Sequence, residues 1–337
     1  MYLEYYGLSG FPFLITPDIR FLFESSVHKK AMSHLLFGLD QSEGFIVITG
    51  DVGAGKTTIL DHLLNTLDTT TFVAAKIVST HLQGDDMLRA VAGAFRLEFD
   101  GSSKASLLNR IERFLNENHS RNLRTLLLVD EAQNITVQAL EELRMLSNFQ
   151  VGSRVPLQSL LLAQPQFRRM LANPDLEQFR QRIIASYHLG PMDAAETGAY
   201  IRHRLSVVGW ANDPEFAPEA MDDIFAYTGG VPRKINAFCT RLMLFCFLDE
   251  LHRIDRDVVA AVVDDLRREI NQVLEHGDKP GGGGMTSSLT EAESAFVTRL
   301  ERLERATLRH GRALRVMLSL VDSQLHANQS GPDTDWP

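Results

Sequence analysis

Residues 50–57 read Gly50-Asp51-Val52-Gly53-Ala54-Gly55-Lys56-Thr57. Glycines let a backbone turn sharply, so that successive N–H groups point at the oxygens of a phosphate. The lysine brings a positive charge to the outer phosphates, and the threonine hydroxyl is a ligand for Mg²⁺. The spacing predicts a phosphate loop, residues 50–57, with Thr58 continuing the nucleotide site into the next helix.

The segments on either side agree with this interpretation. Residues 45–49 are a short apolar run rich in β-branched side chains, which predicts a buried strand. Residues 58–67 carry leucines at helical spacing, and the positive N-terminal end of such a helix favours phosphate. Strand, glycine loop and helix is the order that this kind of phosphate site requires. The alternative is a glycine-rich turn with a solvated lysine.

A second motif, residues 125–133, reads T-L-L-L-V-D-E-A-Q. Residues 126–129 predict another buried strand, which ends in the adjacent carboxylates Asp130 and Glu131. Carboxylates at the end of a buried strand are costly unless they face a site. Beside a phosphate loop, Asp130 would hold Mg²⁺ through water, and Glu131 would orient and deprotonate an attacking water. The alternative is a strand that ends in a polar turn.

Strands and helices alternate as far as residue 190. Further strands are predicted at residues 72–78, 157–163 and 183–189, and helices at 26–40, 85–97, 103–118, 137–147 and 165–172. The alternation predicts an α/β fold with a parallel sheet that is covered by helices on both faces. Ligands of such sheets bind at the carboxyl ends of the strands, where Gln164 follows the strand 157–163.

The rest of the chain differs in pattern. From Asp193 only helices are predicted, at residues 194–208, 218–227, 232–248 and 256–271. The aromatic-rich residues 1–25 contain Pro12 and Pro17, which disfavour a regular helix and predict a segment that wraps the domain and partly covers the nucleotide base. The predicted domains are a core with this wrapping segment at 1–190, a helical lid at 191–275, a glycine-rich linker at 276–288, an amphipathic helical tail at 289–327 and a disordered end at 328–337.

The composition describes an ordinary globular protein. Of 337 residues, 44% are hydrophobic and 23% charged, and the formal net charge is −9. This acidic balance disfavours a general nucleic-acid surface. Cys239 and Cys246 are predicted to be buried thiols in a reducing compartment. Neither a membrane-spanning apolar run nor a signal peptide is evident, so we expect a cytoplasmic location, peripheral to the inner membrane only through partners.

Five stretches together resemble the ExeA, or general secretion pathway A, ATPases of the AAA+ superfamily. Among these ATPases, the stretches resemble in particular those associated with exopolysaccharide and PEP-CTERM/exosortase loci. They are residues 6–23, the loop G-D-V-G-A-G-K-T-T, the strand L-L-V-D-E-A-Q, the run A-Q-P-Q-F-R-R-M-L and the element G-G-V-P-R-K-I-N. The resemblance extends over about residues 1–275. It implies a three-layer P-loop core, a helical lid, and hydrolysis of ATP with Mg²⁺.

The resemblance also implies roles for single residues. Gln164 matches the polar sensor of the terminal phosphate, and Arg233 matches the lid arginine that senses the γ-phosphate. Arg182 matches the arginine that reaches the nucleotide of a neighbouring subunit, with Arg180 as the alternative. The other interpretations are structural: a helix cap for Gln164, an ion pair for Arg182, and a solvated helix start for Arg233.

By the same resemblance, the partners are other copies of the chain, with active sites at subunit interfaces, and membrane-associated export or polysaccharide-assembly proteins. Members of this family can continue into a transmembrane segment and a periplasmic domain that binds peptidoglycan, which the glycine linker and tail do not resemble. One alternative function is a DNA-binding transposition regulator. Another is a nucleotide-switched signalling scaffold with little turnover, which an intact Glu131 disfavours.

Overall fold

The computed structural model of the protein describes residues 2–16, 18–78, 82, 84–101, 103–150 and 155–276. Met1–Arg256 forms one compact unit, and Asp257 begins a second unit, of which one helix is described. The predicted tail, the predicted disordered end and nearly all of the predicted linker lie outside the described residues. The predicted boundary between core and lid lies inside the first unit, and the division into these two domains stays a prediction.

The bounds of the described elements are as follows. The strands are β1 (Phe45–Gly50), β2 (Phe72–Val78), β3 (Arg124–Asp130), β4 (Leu157–Ala163), β5 (Ile183–Leu189), β6 (Glu215–Phe216) and β7 (Arg253–Ile254). The α-helices are α1 (Tyr2–Tyr5), α2 (Ser26–Gln41), α3 (Lys56–Thr66), α4 (Gly84–Ala94), α5 (Lys104–Ser120), α6 (Val137–Leu146), α7 (Gln166–Leu171), α8 (Glu177–Arg180), α9 (Ala194–Val207), α10 (Pro218–Thr228), α11 (Pro232–Leu248) and α12 (Arg256–His276).

β1 to β5 form one parallel sheet in the order β2-β3-β4-β1-β5. Alternate residues of a strand face opposite sides of a sheet. Accordingly, Val47 and Leu127 join the apolar core on one face, while Ile48 and Leu128 join the core on the other. Both faces are covered, which explains the apolar runs in the central strands β1, β3 and β4, whereas the edge strands β2 and β5 also contain polar residues. The predicted fold class is confirmed.

Four of the described α-helices begin where a side chain satisfies a free backbone N–H group. The hydroxyls of Ser25, Ser103 and Thr136 cap α2, α5 and α6, and the carboxylate of Asp193 caps α9. Such caps satisfy N–H groups that have no partner within the helix. Since α3 begins at Lys56, directly after Gly55, its capping position is free of a side chain. This arrangement leaves the N-terminal end of α3 open toward the phosphate loop.

The expectation that only helices follow Asp193 was wrong. The part after Asp193 is not purely helical, because β6 and β7 pair in parallel, with Phe216 and Ile254 buried. A strand of two residues is too short to show alternation in the sequence. In the aromatic N-terminal segment, the described helical parts are short: α1, which ends before Pro12, and a 3₁₀ turn at Ile19–Phe21.

None of the described helices is both long and apolar enough to cross a membrane.

Candidate functional site

The phosphate loop joins β1 to α3 and depends on two glycines with positive φ. Gly53 has a φ of +82° and Gly55 a φ of +96°, which side chains rarely adopt. A Cβ on Gly53 would lie 2.3 Å from Cβ of Arg233, and one on Gly55 would lie 2.6 Å from Nε2 of His28. The loop backbone is therefore approached closely from α11 and from α2, and only glycine is compatible with both contacts.

Lys56 lies inside the curve of the loop and is only 6% exposed. Its Nζ donates hydrogen bonds to the carbonyl oxygens of Gly50, over 2.7 Å, and Asp51, over 2.9 Å. Burial lowers the pKa of Lys56, and the carboxylates of Glu131, Asp130 and Asp51 oppose this shift. Because both hydrogen-bond acceptors are neutral carbonyls, the ammonium still has charge to offer to a phosphate. The loop fits a phosphate ligand.

Thr57 and Asp130 meet at the other end of the site. The Thr57 hydroxyl donates to Oδ2 of Asp130 over 3.2 Å, and Oδ1 of Asp130 accepts the backbone N–H of Glu131 over 3.0 Å. A hydroxyl and a carboxylate are hard oxygen donors of the kind that Mg²⁺ prefers. The two predicted metal ligands therefore lie together in a geometry that fits Mg²⁺ next to the phosphate loop.

Glu131 has a left-handed backbone, with φ 55° and ψ 41°. Its Oε2 accepts a hydrogen bond from Nε2 of Gln164 over 3.2 Å and another from Nε2 of Gln133. Oε1 of Gln133 in turn accepts the backbone N–H of Gln164 over 2.9 Å. A non-glycine residue in this region costs free energy, and such strain concentrates at functional sites. The carboxylate is held by two amide groups from two different strand ends.

Gln133 was not assigned a role from the sequence, although it lies within the T-L-L-L-V-D-E-A-Q motif. The sequence placed it two residues after the carboxylate, but the contact depends on the turn at Ala132–Asn134. That turn brings the Gln133 amide back to Glu131 and across to the end of β4.

One cavity of about 240 Å³ contains side chains of both motifs. Lys56, Thr57 and Glu131 line it together with Arg233 of α11 and His28 of α2. The N-terminal segment closes another side of the cavity with residues 14–16, 18 and 21–23. The N-terminal part of the chain, the phosphate loop, the end of β3 and the start of α11 thus meet at the carboxyl ends of the parallel strands, as the α/β fold predicts.

A buried arginine, which the sequence reasoning missed, holds the N-terminal segment at this cavity. Arg204 of α9 donates to the carbonyl oxygens of Pro12, over 2.6 Å, and Leu14, over 3.1 Å. Its guanidinium lies 4.6 Å from the ring centroid of Phe21, and it also donates to the Tyr200 hydroxyl over 2.8 Å. In the sequence, the only sign of this role is that the charged residue Arg204 occupies a position on the buried face of its helix.

The two candidate trans-acting arginines contact their own subunit. Arg182 donates to the carbonyl oxygen of Ser147 over 2.9 Å. Arg180 donates to the carbonyl oxygens of Leu171 and Asn173, the latter over 2.8 Å. Both are half-buried beside β5 and α8. These contacts are structural, and the role of either arginine toward a neighbouring copy stays a prediction.

Comparisons with known proteins agree with this geometry. Residues 39–171 match the family model of the AAA domain. Over 273 residues, the chain is 38% identical to general secretion pathway protein A of Aeromonas hydrophila, a match that covers 80% of this chain and 50% of the relative. The chain thus contains an AAA domain and is a relative of general secretion pathway protein A. It spans about half the length of this curated relative.

Solved structures show the same AAA+ fold. The ORC2 protein of Aeropyrum pernix in its ADP form has a TM-score of 0.55 and 16% identity, with 84% of this chain and 82% of that chain covered. Cdc6p from Pyrobaculum aerophilum has a TM-score of 0.59 and 15% identity, with 75% and 70% covered. At such identities the likeness concerns the fold alone. The predicted resemblance to the general secretion pathway A ATPases is confirmed by the sequence comparisons.

Proposed function

We propose that this AAA+ protein binds ATP with Mg²⁺ and hydrolyses it to ADP and phosphate. The observation that carries the proposal is the position of Glu131. Its carboxylate lines the same cavity as Lys56, one residue after the carboxylate that contacts Thr57. A phosphate site alone would explain binding, but a second carboxylate at the cavity supplies a base for water.

Binding rests on the loop and the start of α3. The backbone of residues 50–58 and the Lys56 ammonium hold the phosphates, while Thr57 and Asp130 hold Mg²⁺. Bound Mg²⁺ supplies positive charge that neutralises the phosphate oxygens. The N-terminal segment, which Arg204 holds in place, closes the cavity on the side proposed for the nucleotide base.

For hydrolysis, Glu131 accepts a proton from the attacking water. The amides of Gln133 and Gln164 orient its carboxylate, because both donate to Oε2. Gln164 is also the sensor of the terminal phosphate, and Arg233 responds to the same phosphate from the lid. Arg182, or Arg180 in its place, completes the site of an adjacent copy in an oligomer.

In the cell, we assign this ATPase to an envelope secretion or exopolysaccharide/PEP-CTERM export system. The support is the relative named general secretion pathway protein A, together with the resemblance of the five sequence stretches. Its partners are other copies of the chain and membrane-associated export proteins, at the cytoplasmic face of the inner membrane. Core and lid correspond to residues 1–190 and 191–275.

The decisive test separates binding from hydrolysis. Glu131→Gln keeps the size of the side chain but removes the base, so ATP should bind as in wild type and turn over at least ~100-fold more slowly. Lys56→Ala should lose ATP affinity instead. Glu112→Gln, the same change at an exposed site on α5, is the matched control. Full turnover by Glu131→Gln would reject Glu131 as the base.

A further inference from the structure

A lysine on β2 lies next to the proposed metal-binding carboxylate. Nζ of Lys76 is 3.6 Å from Oδ2 of Asp130 and 3.3 Å from Oδ1 of Asp61 on α3. The Lys76 side chain is 26% exposed, whereas that of Asp130 is 6% exposed. Lys76 sits opposite Leu128 in the parallel pairing of β2 with β3, so its side chain leaves the sheet close to the end of β3.

The contact involves the oxygen that the metal would use. Oδ2 of Asp130 accepts the Thr57 hydroxyl and also faces the Lys76 ammonium. A divalent cation held by Thr57 and Asp130 would lie within a few ångströms of this ammonium. Two like charges at that distance repel each other, and partial burial weakens the screening by water.

Asp61 gives the ammonium a second position. It is more exposed than Asp130 and is already the nearer of the two carboxylates to Nζ. A flexible lysine stem can turn fully toward Asp61 without leaving the cluster. In this cluster of three residues, the Lys76 ammonium is shared between two carboxylates. Only one of them, that of Asp130, belongs to the nucleotide site.

We propose that Lys76 is an internal cation that competes with Mg²⁺ for Asp130 and shifts to Asp61 when the metal binds. The proposal rests on the nucleotide function inferred above. Lys76 is a positioning residue that lowers the affinity of the nucleotide complex for Mg²⁺ and shortens the retention of the nucleotide. It also makes the pairing of Asp61, on the outer side of α3, depend on whether the metal is bound.

A merely structural role for Lys76 predicts the opposite sign. If the ammonium only kept Asp130 in place, its removal would loosen a metal ligand and weaken Mg²⁺ binding. If the ammonium competes, its removal strengthens Mg²⁺ binding. The direction of the change thus decides between the two roles.

The experiment measures the release of a fluorescent ADP analogue from the full chain at increasing concentrations of free Mg²⁺. In Lys76→Met, the Mg²⁺ concentration that gives half-maximal slowing of release should fall by about fivefold. This factor corresponds to the interaction of two unit charges that lie about 4 Å apart in water. Lys76→Arg keeps the charge and should stay close to wild type. Asp61→Asn leaves Lys76 with Asp130 alone, so it should require more Mg²⁺.

The double variant completes the test. In the Lys76→Met background, Asp61→Asn should have no further effect, because Asp61 acts only through the ammonium. A persistent effect of Asp61→Asn there, or an unchanged or raised Mg²⁺ requirement in Lys76→Met, would overturn the proposal. If Lys76→Met fails to fold, Lys76→Gln and Asp61→Asn carry the same test. Wild-type protein that does not retain the analogue at all would instead refute the proposed function.

Discussion

The backbone N–H of Arg233 donates a hydrogen bond to the carbonyl oxygen of Gly53 over 3.2 Å. This bond joins the first turn of α11 directly to the phosphate loop. A change in the loop backbone therefore reaches α11 without an intermediary. The contact is tight, since the space beside Gly53 is taken by the Arg233 side chain.

Gly53→Ala should weaken nucleotide binding by roughly tenfold or more and lower thermal stability. The methyl group would meet Cβ of Arg233, and the φ of +82° adds strain of about 1–2 kcal/mol. Titration with nucleotide and thermal unfolding measure the two effects. Gly101→Ala is the control, because Gly101 has a φ of +63° but no atom within 4 Å of the new methyl. Equal effects of both substitutions would contradict the importance of the loop–α11 contact.

Arg204→Met should release the N-terminal segment. The carbonyl oxygens of Pro12 and Leu14 lose their donor, at a cost of about 1–3 kcal/mol for buried groups left unsatisfied. Faster hydrogen exchange in residues 12–16 and weaker nucleotide binding are the expected results. Arg202→Met, an exposed change on the same helix, should alter neither. Unchanged exchange in Arg204→Met would show that the segment is held by its aromatic side chains alone.

His28 should make the fold sensitive to acid. Burial lowers the pKa of His28 below its ordinary value of 6.5, and the Glu196 carboxylate opposes this only in part. Above pH 6.5 both the folded and the unfolded chain keep this imidazole neutral. As the pH falls below 6.5, the unfolded chain takes up the proton first, so the free energy of unfolding decreases, by at most about 1.4 kcal/mol per pH unit.

His28→Gln should therefore lose less stability than wild type between pH 7.5 and pH 5.5, as measured by denaturant unfolding at both pH values. His34→Gln removes an exposed histidine from the same helix and should keep the wild-type difference. The same acid sensitivity in His28→Gln and wild type would assign the effect to other groups.

Arg182 should act on the nucleotide of a neighbouring copy. Mixing Arg182→Ala with Lys56→Ala subunits should restore part of the ATPase activity, because each variant supplies the group that the other lacks. Arg180→Ala is the matched control, since it also loses hydrogen bonds to backbone carbonyls. Rescue by Arg180→Ala in place of Arg182→Ala would transfer the role to Arg180, and rescue by neither would remove it from both.

The sequence determined the elements whose physical pattern is local. β2, β4 and β5 have the predicted bounds, because each is a short segment of mostly apolar residues, even though the edge strands β2 and β5 also contain Lys76 and His188. The phosphate loop was recognisable because its glycines and lysine lie at fixed spacing within residues 50–57. α1, β6 and β7 could not be predicted with the same reasoning, since four residues of helix or two residues of strand span only about one period and cannot show a repeat.

Only the tertiary structure decided which charged and polar groups meet. Arg204 donates to Pro12 across 192 residues, and Lys76 lies beside Asp130 although 54 positions separate them (130 minus 76). Periodicity tells which face of an element is buried, but not which side chain of another element lies opposite. That depends on the order of the strands and on how the elements pack, which no local pattern in the sequence contains.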